Sequence, residues 1–421
     1  MMDKIAAFRD KLLYIWRIPG LPVLFLLNII YGLGMSFFAP FSSLFGIDEA
    51  GMSNIGFGIF MTIMAVGGVV ISSYIAKKSD TTLSRRRILI YSSLAGAAGY
   101  ILFAYLRNYY ALCLTGFFVL GSAAATVPQL WAYARDALTA AKVPAEETPL
   151  IMNIFRMFFA LSWIGGPALG AWLVMMLDFK GLFFFVAACY LLGSLTAIFL
   201  LKEIARQEVP NKESIKVKKY VSRLHILANL AAAFLLYSAS SIHMLNVPQF
   251  VTKTLHGTEM QVGIIFSVAP IFEVPLMIIV GMMATKMDNS ILIKAGYFLA
   301  FVYFLIFGFV SEPEQIYPLQ ILSAAQVSIT AGIAISYFQD FIPEAPGTAT
   351  TLYMNVTQIG STAGYLLFGF ISSLISYGKL ITIYTVFAGI GFLFITIYGK
   401  ERQIDSKRNK QAAESPPTSF K

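Results

Sequence analysis

The chain of 421 residues is 57% hydrophobic and only 13% charged, a balance no soluble domain of this length can present to water. Its apolar runs show no period-2 alternation, which argues against a β-barrel. The net charge of +9 would suit a nucleic-acid partner, but the placement of Lys and Arg in loops argues against that reading.

Residues 1–20 place Ile5, Phe8, Leu12 and Ile15 on one helical face, with Lys4, Arg9 and Lys11 beside it. That pattern fits a short interfacial helix or a cytosolic tail. Twelve apolar stretches follow: 21–45, 55–76, 88–106, 110–133, 150–177, 182–201, 226–250, 261–285, 291–310, 316–337, 347–375 and 380–398. Each is near the ~20 residues that a helix needs to cross ~30 Å of hydrocarbon. The first is too long for a signal peptide and is expected to remain as helix 1. The fold class is therefore an all-α membrane protein with twelve transmembrane helices.

Alternating the segments leaves only Arg107, Lys180, Lys253 and Lys379 in the loops of one side, with Arg156 inside a helix; the remaining Lys and Arg lie on the side of the termini. The positive-inside rule then places both termini in the cytoplasm of a multi-pass protein of the cell membrane. The basic segment 202–223 separates two six-helix halves, 21–201 and 224–399. Residues 400–421 have the composition of a disordered tail.

The halves resemble each other. Tyr133-Ala-Arg135-Asp136 at the end of helix 4 matches Tyr337-Phe-Gln339-Asp340 at the end of helix 10. Met152-Asn153 and Arg156 in helix 5 match Met354-Asn355 and Gln358 in helix 11. Pro40 matches Pro248, and Ile55-Gly56 matches Val262-Gly263. Four matches in one order indicate a parallel duplication, the layout of major facilitator transporters, in which the substrate site lies between the halves.

Two charges stand deep in apolar stretches, Arg156 in helix 5 and Glu273 in helix 8. An ionised group at such depth normally faces a partner or a wet cavity. Both are expected to line a central chamber, pairing there or touching substrate; the bland alternative is a buried pair that only fixes packing. Glu273 is also the candidate proton carrier. A second tier of polar or aromatic residues suits a polyhydroxylated ligand: Asn28, Tyr31, Gln129, Asn153, Trp163, Asn246, Gln249, Gln326, Asn355 and Gln358. For each of these the competing role is a plain hydrogen bond between neighbouring helices. Cys113 and Cys189 read as packing residues, and His243 and His256 have no second ligand at metal spacing. No nucleophile–base pair or nucleotide motif occurs, so the sequence gives no ground for an enzyme, a cofactor, a metal or ATP-driven pumping.

The 2–3 loop carries Asp80, Arg85, Arg86 and Arg87. It resembles a relaxed copy of the superfamily's loop signature, with longer spacing and Ser84 in place of a glycine. With Arg135, Asp136 and Asp340 it forms a candidate cytoplasmic gate, expected to hold the halves together on that side, with Asp80 as a helix cap. Several strings together resemble the bacterial sugar efflux transporters of the major facilitator superfamily: APFSSLF (39–45), VPQLWAYARD (127–136), FRMFFALSWIGGPALG (155–170), FEVPLMIIVG (272–281) and YFQDFIPEAPGTATTLYMN (337–355). The resemblance implies proton-linked export of sugars or sugar analogues by a monomer in the bilayer, without nucleic acid. Gln129, Arg135, Arg156, Trp163, Glu273, Gln339 and Asp340 are this chain's copies of the family's polar positions. Asn246 stands where an acid is expected in a relative. A drug–proton antiporter, sugar uptake and a non-transporting membrane sensor are the competing readings. The short tail and central loop disfavour the last.

Overall fold

A computed structural model describes residues 16, 18, 20–79, 82–144, 147–204, 223–343 and 345–399, without the side chains of residues 149, 150 and 153. The interfacial segment 1–15, most of the linker and the tail lie outside the described residues, as does Asp80.

Twelve helices are described. They are α1 (Leu21–Phe38), α2 (Asn54–Ser79), α3 (Arg85–Tyr105), α4 (Tyr109–Ala140), α5 (148–177), α6 (179–200), α7 (Leu224–Gln249), α8 (Glu259–Ala284), α9 (Asn289–Phe307), α10 (Ile316–Phe341), α11 (Pro346–Ser372) and α12 (Tyr377–Tyr398). Starts follow local chemistry. Ser84, Asn108, Thr258 and Asp288 cap α3, α4, α8 and α9 through their side chains, and Pro stands in the first turn of α1, α5 and α11. Ser84 thus caps α3, the kind of role expected of Asp80. Helices α5 and α6 run together and part only at Asp178, whose φ of 54° breaks the helical path.

Four helix ends differ most from the sequence reading. Helix 1 loses α geometry at Phe38 and passes through a 3-10 turn at Ala39–Phe41 into a π-helical stretch, Leu44–Glu49. Pro40 has no N–H to continue the ladder. Pro248 is likewise followed by a π-helical stretch, Phe250–Thr254. Helices 4 and 10 run on to Ala140 and Phe341, because Ala137, Leu138 and Phe341 are buried.

Ten helical spans are long and apolar enough to cross a membrane. One of them is the fused α5–α6, and the helix left out is α11, whose side chains are too polar. Within the N-terminal half α1 packs on α5 and α3 on α6; in the C-terminal half α7 packs on α11 and α12, and α8 and α9 on α10. Two long helix crossings join the halves, α5 with α8 and α2 with α11, and α7 and α8 also touch the 3-10 turn at Ala39–Phe41. At the second, a Cβ on Gly58 would lie 2.8 Å from Gly369 Cα, so only glycine permits the approach. At the first, a Cβ on Gly263 would lie 2.7 Å from the Pro167 carbonyl oxygen. Each crossing sets a glycine of α2 or α8 against the repeat-equivalent position of α11 or α5, as a parallel duplication demands.

Candidate functional site

All the inter-half bonds described here lie on the side away from the chain ends. Asn54 Nδ2 donates to the Ser372 carbonyl (2.8 Å), and Tyr377 Oη to Asn54 Oδ1 (3.3 Å). Gln249 Nε2 donates to the Ser43 carbonyl (3.1 Å) and to Asp48 (2.9 Å), which also pairs with Lys253 (2.8 Å). Pro167 interrupts the α5 ladder, and the Ala168 amide donates to Ser267 Oγ of α8 (3.1 Å).

Toward the chain ends the halves part. On α11 the stripe that begins at Gly369 and Tyr365 continues through Thr362, Gln358, Asn355 and Thr351, at helical spacing. Gly369 packs on α2, whereas Gln358, Asn355 and Thr351 are exposed. On α5, Phe155, Ser162 and Gly166 meet α1, while Pro167, Ala168 and Ala171 meet α8. At ~100° per residue, Arg156 falls between those two faces and so points to the gap between the halves. It is exposed, and Trp163 lies two turns along the same face, half-buried.

Arg156 rests on an aromatic ring. Its guanidinium carbon is 5.3 Å from the centre of the Trp131 ring of α4. Trp131 Nε1 donates to Asn28 Oδ1 of α1 (3.1 Å), and Asn28 Nδ2 donates to the Phe155 carbonyl of α5. Asn28 is fully buried, so its amide pins the ring, and the ring seats the cation. Sequence reasoning passed over Trp131, because a tryptophan in an apolar helix reads as packing. The available signal was its position one turn before Arg135 in the VPQLWAYARD string.

Glu273 is half-buried, and its backbone carbonyl accepts from Ser328 Oγ of α10 (3.2 Å), so α8 lies against α10 at that level. Measured along the helices from the Ala168–Ser267 bond, Glu273 lies ~9 Å and Arg156 ~18 Å toward the chain ends. Among the described residues neither has an ion-pair partner, so the pairing allowed by the sequence is absent in this conformation.

Most other expected site residues are held inside one half. Tyr31 is fully buried and shares a hydrogen bond with Ser93 Oγ (2.7 Å), its ring against Tyr190. It packs α1 against α3 and α6 instead of lining the gap. Gln129 is buried and accepts from Ser79 Oγ (2.9 Å) and Arg85 Nη1 (3.3 Å), holding α4 to the end of α2 and the start of α3. Asn246 is buried and donates to the Tyr377 carbonyl (3.1 Å). Gln249 is the inter-half tie already described, and Gln326 is buried in α10. The Asn153 side chain lies outside the described residues. His243 is engaged at both ring nitrogens, by Tyr384 Oη (3.2 Å) and Tyr303 Oη (3.0 Å).

In this conformation the gate residues make their described bonds within one half, and the expected clamp between the halves is not among them. Arg85 Nε pairs with Asp136 Oδ2 (2.6 Å), and Arg86 donates to the Ala197 and Ile198 carbonyls at the end of α6. In the C-terminal half Asn289 Nδ2 donates to Asp340 (3.0 Å), at the same 51-residue separation as Arg85 and Asp136. Arg135 turns away from this cluster, onto the Trp131 face of α4, and is exposed. Gln339 donates to Thr350 Oγ1 (2.9 Å).

Two parallel six-helix halves, tied at one side of the bilayer and parted at the other around polar side chains, define a multi-pass membrane transporter. The chain belongs to the Major Facilitator Superfamily, whose family model matches residues 24–239 and 229–421, and within it to the sugar efflux transporters. It is 30% identical over 336 residues to a Deinococcus radiodurans protein named provisionally as a sugar efflux transporter, covering 79% of this chain and 86% of the relative. It is 29% identical over 365 residues to Sugar efflux transporter C of Escherichia coli (strain K12), covering 85% and 90%. The crystal structure of the nucleoside transporter NupG superposes with a TM-score of 0.72 at 14% identity, over 89% of this chain and 97% of that one. A bacterial homologue of the lysosomal transporter Spinster gives 0.69 at 11% identity, over 94% and 98%. At those identities the two structures establish the fold alone. The family is one of transporters and not of enzymes.

Proposed function

We propose that the protein exports sugars or sugar analogues by alternating access, as a monomer with both termini in the cytoplasm, in exchange for protons carried by Glu273. The observation that supports this best is the asymmetry of the interface. The halves are tied by Asn54, Gln249 and Asp48 at one side. At the other, Arg156, Asn355 and Gln358 are exposed and Trp163 is half-buried. With the termini inside the cell, this conformation receives its solute from the cytoplasm. Rocking of the halves then opens the far side. Amides and a guanidinium serve ring hydroxyls as donors and acceptors, and the Trp163 ring suits the C–H face of a sugar.

Counterflow of labelled sugar in proteoliposomes tests the reading: the protein accelerates exchange over empty vesicles, and absence of exchange for any sugar overturns it. Coupling is tested separately. An imposed proton gradient accelerates wild-type transport, whereas Glu273→Gln retains exchange and loses the gradient response. A Glu273→Gln variant that still answers to the gradient would remove Glu273 from that role.

A further inference from the structure

Arg156 bears a charge that no described neighbour neutralises. Its guanidinium lies on the Trp131 ring, whose indole N–H is already bound to Asn28. Among the described residues it has no carboxylate partner, and neither has Arg135. The two are close: Arg135 stands one turn, ~6 Å, further along α4 from Trp131 and on the same face. Among the described residues, the acids at that end of α4 and α10 are occupied elsewhere. Asp136, next in sequence to Arg135 and ~100° around α4 from it, is paired with Arg85; Asp340 accepts from Asn289. The stripe of α11 across the gap offers Asn355, Gln358 and Thr351, none of which is charged. Among the described residues Glu273 is the one carboxyl on the inter-half helices at this depth, and it is placed ~9 Å away along the axis.

We propose that Arg156 and Arg135 form a seat for an anionic group, and that the transported solute is an acidic sugar, a polyhydroxylated body bearing a carboxylate or a phosphate. The inference rests on the sugar-export reading and narrows it. A guanidinium with one face on an indole keeps its edge free, and its forked N–H donors match a carboxylate or phosphate with two parallel bonds. The second guanidinium, one turn out, sits over the entrance and draws anions toward the first. A neutral sugar leaves both cations without a counter-charge, whereas an acid compensates them and sets its hydroxyls against the amides of α11. The fixed ring matters here: because Asn28 holds Trp131, the cation is presented before the ligand arrives.

The test is binding, measured on the full chain in lipid nanodiscs by calorimetry with glucose, glucuronate and glucose 6-phosphate. One of the two acids is expected to bind at least about tenfold more tightly than glucose, and which one it is separates carboxylate from phosphate. Raising the salt concentration weakens the acid and leaves glucose unchanged. Arg156→Gln and Arg135→Gln abolish the preference; Arg156→Lys keeps the charge and most of the preference, which separates lost recognition from lost folding. Equal affinity for glucose and both acids overturns the proposal, as does a preference that survives Arg156→Gln. Counterflow distinguishes this failure from failure of the broader reading. Neutral sugars exchanging without preference for acids leave export standing and remove the anion seat, while acids that bind but never exchange leave the seat and remove export.

Discussion

Asn28 uses both ends of its side-chain amide inside the protein, accepting from Trp131 and donating to the Phe155 carbonyl. Replacing it by Leu, similar in size, strands a buried indole N–H and a helix carbonyl. The expected loss of stability is ~1–3 kcal/mol, the usual cost of an unmet buried polar group. The same change frees the ring beneath Arg156. Denaturation midpoints read the first effect, and a raised KM with a shifted Trp131 emission (in a variant lacking the other tryptophans) reads the second. An unchanged KM would mean that Arg156 needs no platform. At this scale the sequence told which residues are polar and deep, but not which way they point. Asn28, Tyr31 and Asn246 look alike in the chain as polar groups in apolar helices, and all three prove to be internal hydrogen-bond partners. Arg156 differs because its angular position falls between two packed faces, which only the partner helices reveal.

The helices themselves were far more legible. Runs of apolar residues located all twelve, and Asp178 interrupts α5–α6 at the break the hydrophobic pattern implied. The ends were less readable, since the 3-10 and π-helical turns after Phe38 and at Phe250 depend on how Pro40 and Pro248 pack. The repeat was readable as well. It now has a geometric meaning, because Gly58 against Gly369 and Gly263 against Pro167 are the two equivalent crossings. Gly369→Val would push branched carbons into the Asn54 carbonyl oxygen, 2.6 Å from an ideal Cβ, and into α2. We expect the halves to separate at that side. A cysteine placed at Asn54 should then react several-fold faster with a membrane-impermeant thiol reagent applied from the far side, an order-of-magnitude expectation for ~1 kcal/mol of crowding strain. No change in reactivity would show that the crossing does not govern closure.

For the whole molecule, the tie between Asp48, Gln249 and Lys253 holds the far side shut across two chain segments some 200 residues apart. Exposed ion pairs contribute only ~0–1 kcal/mol, so Lys253→Met should shift the balance of conformations by no more than about fivefold. Distance measurements between spin labels on the far-side loops would show a larger open fraction for this variant. Exchanging the charges, Asp48→Lys with Lys253→Asp, should bring the closed fraction back. Nothing in the sequence announced this pair, because each partner falls just past an apolar stretch, in what reads as a short connection where a charge is unremarkable. One helix carries a cost of its own. The exposed Thr351, Asn355 and Gln358, with the half-buried Thr362, make α11 too polar to qualify as a membrane span alone. During synthesis such a segment partitions poorly from the translocon into lipid. It should therefore enter the bilayer only beside its neighbours, so that the polar stripe serving the mature chamber makes biogenesis of the second half depend on α7 and α10 being present first. The α11 segment presented to the translocon without α7 and α10 should stay uninserted, and restoring the two should insert it, readable as glycosylation or protease access at its far end.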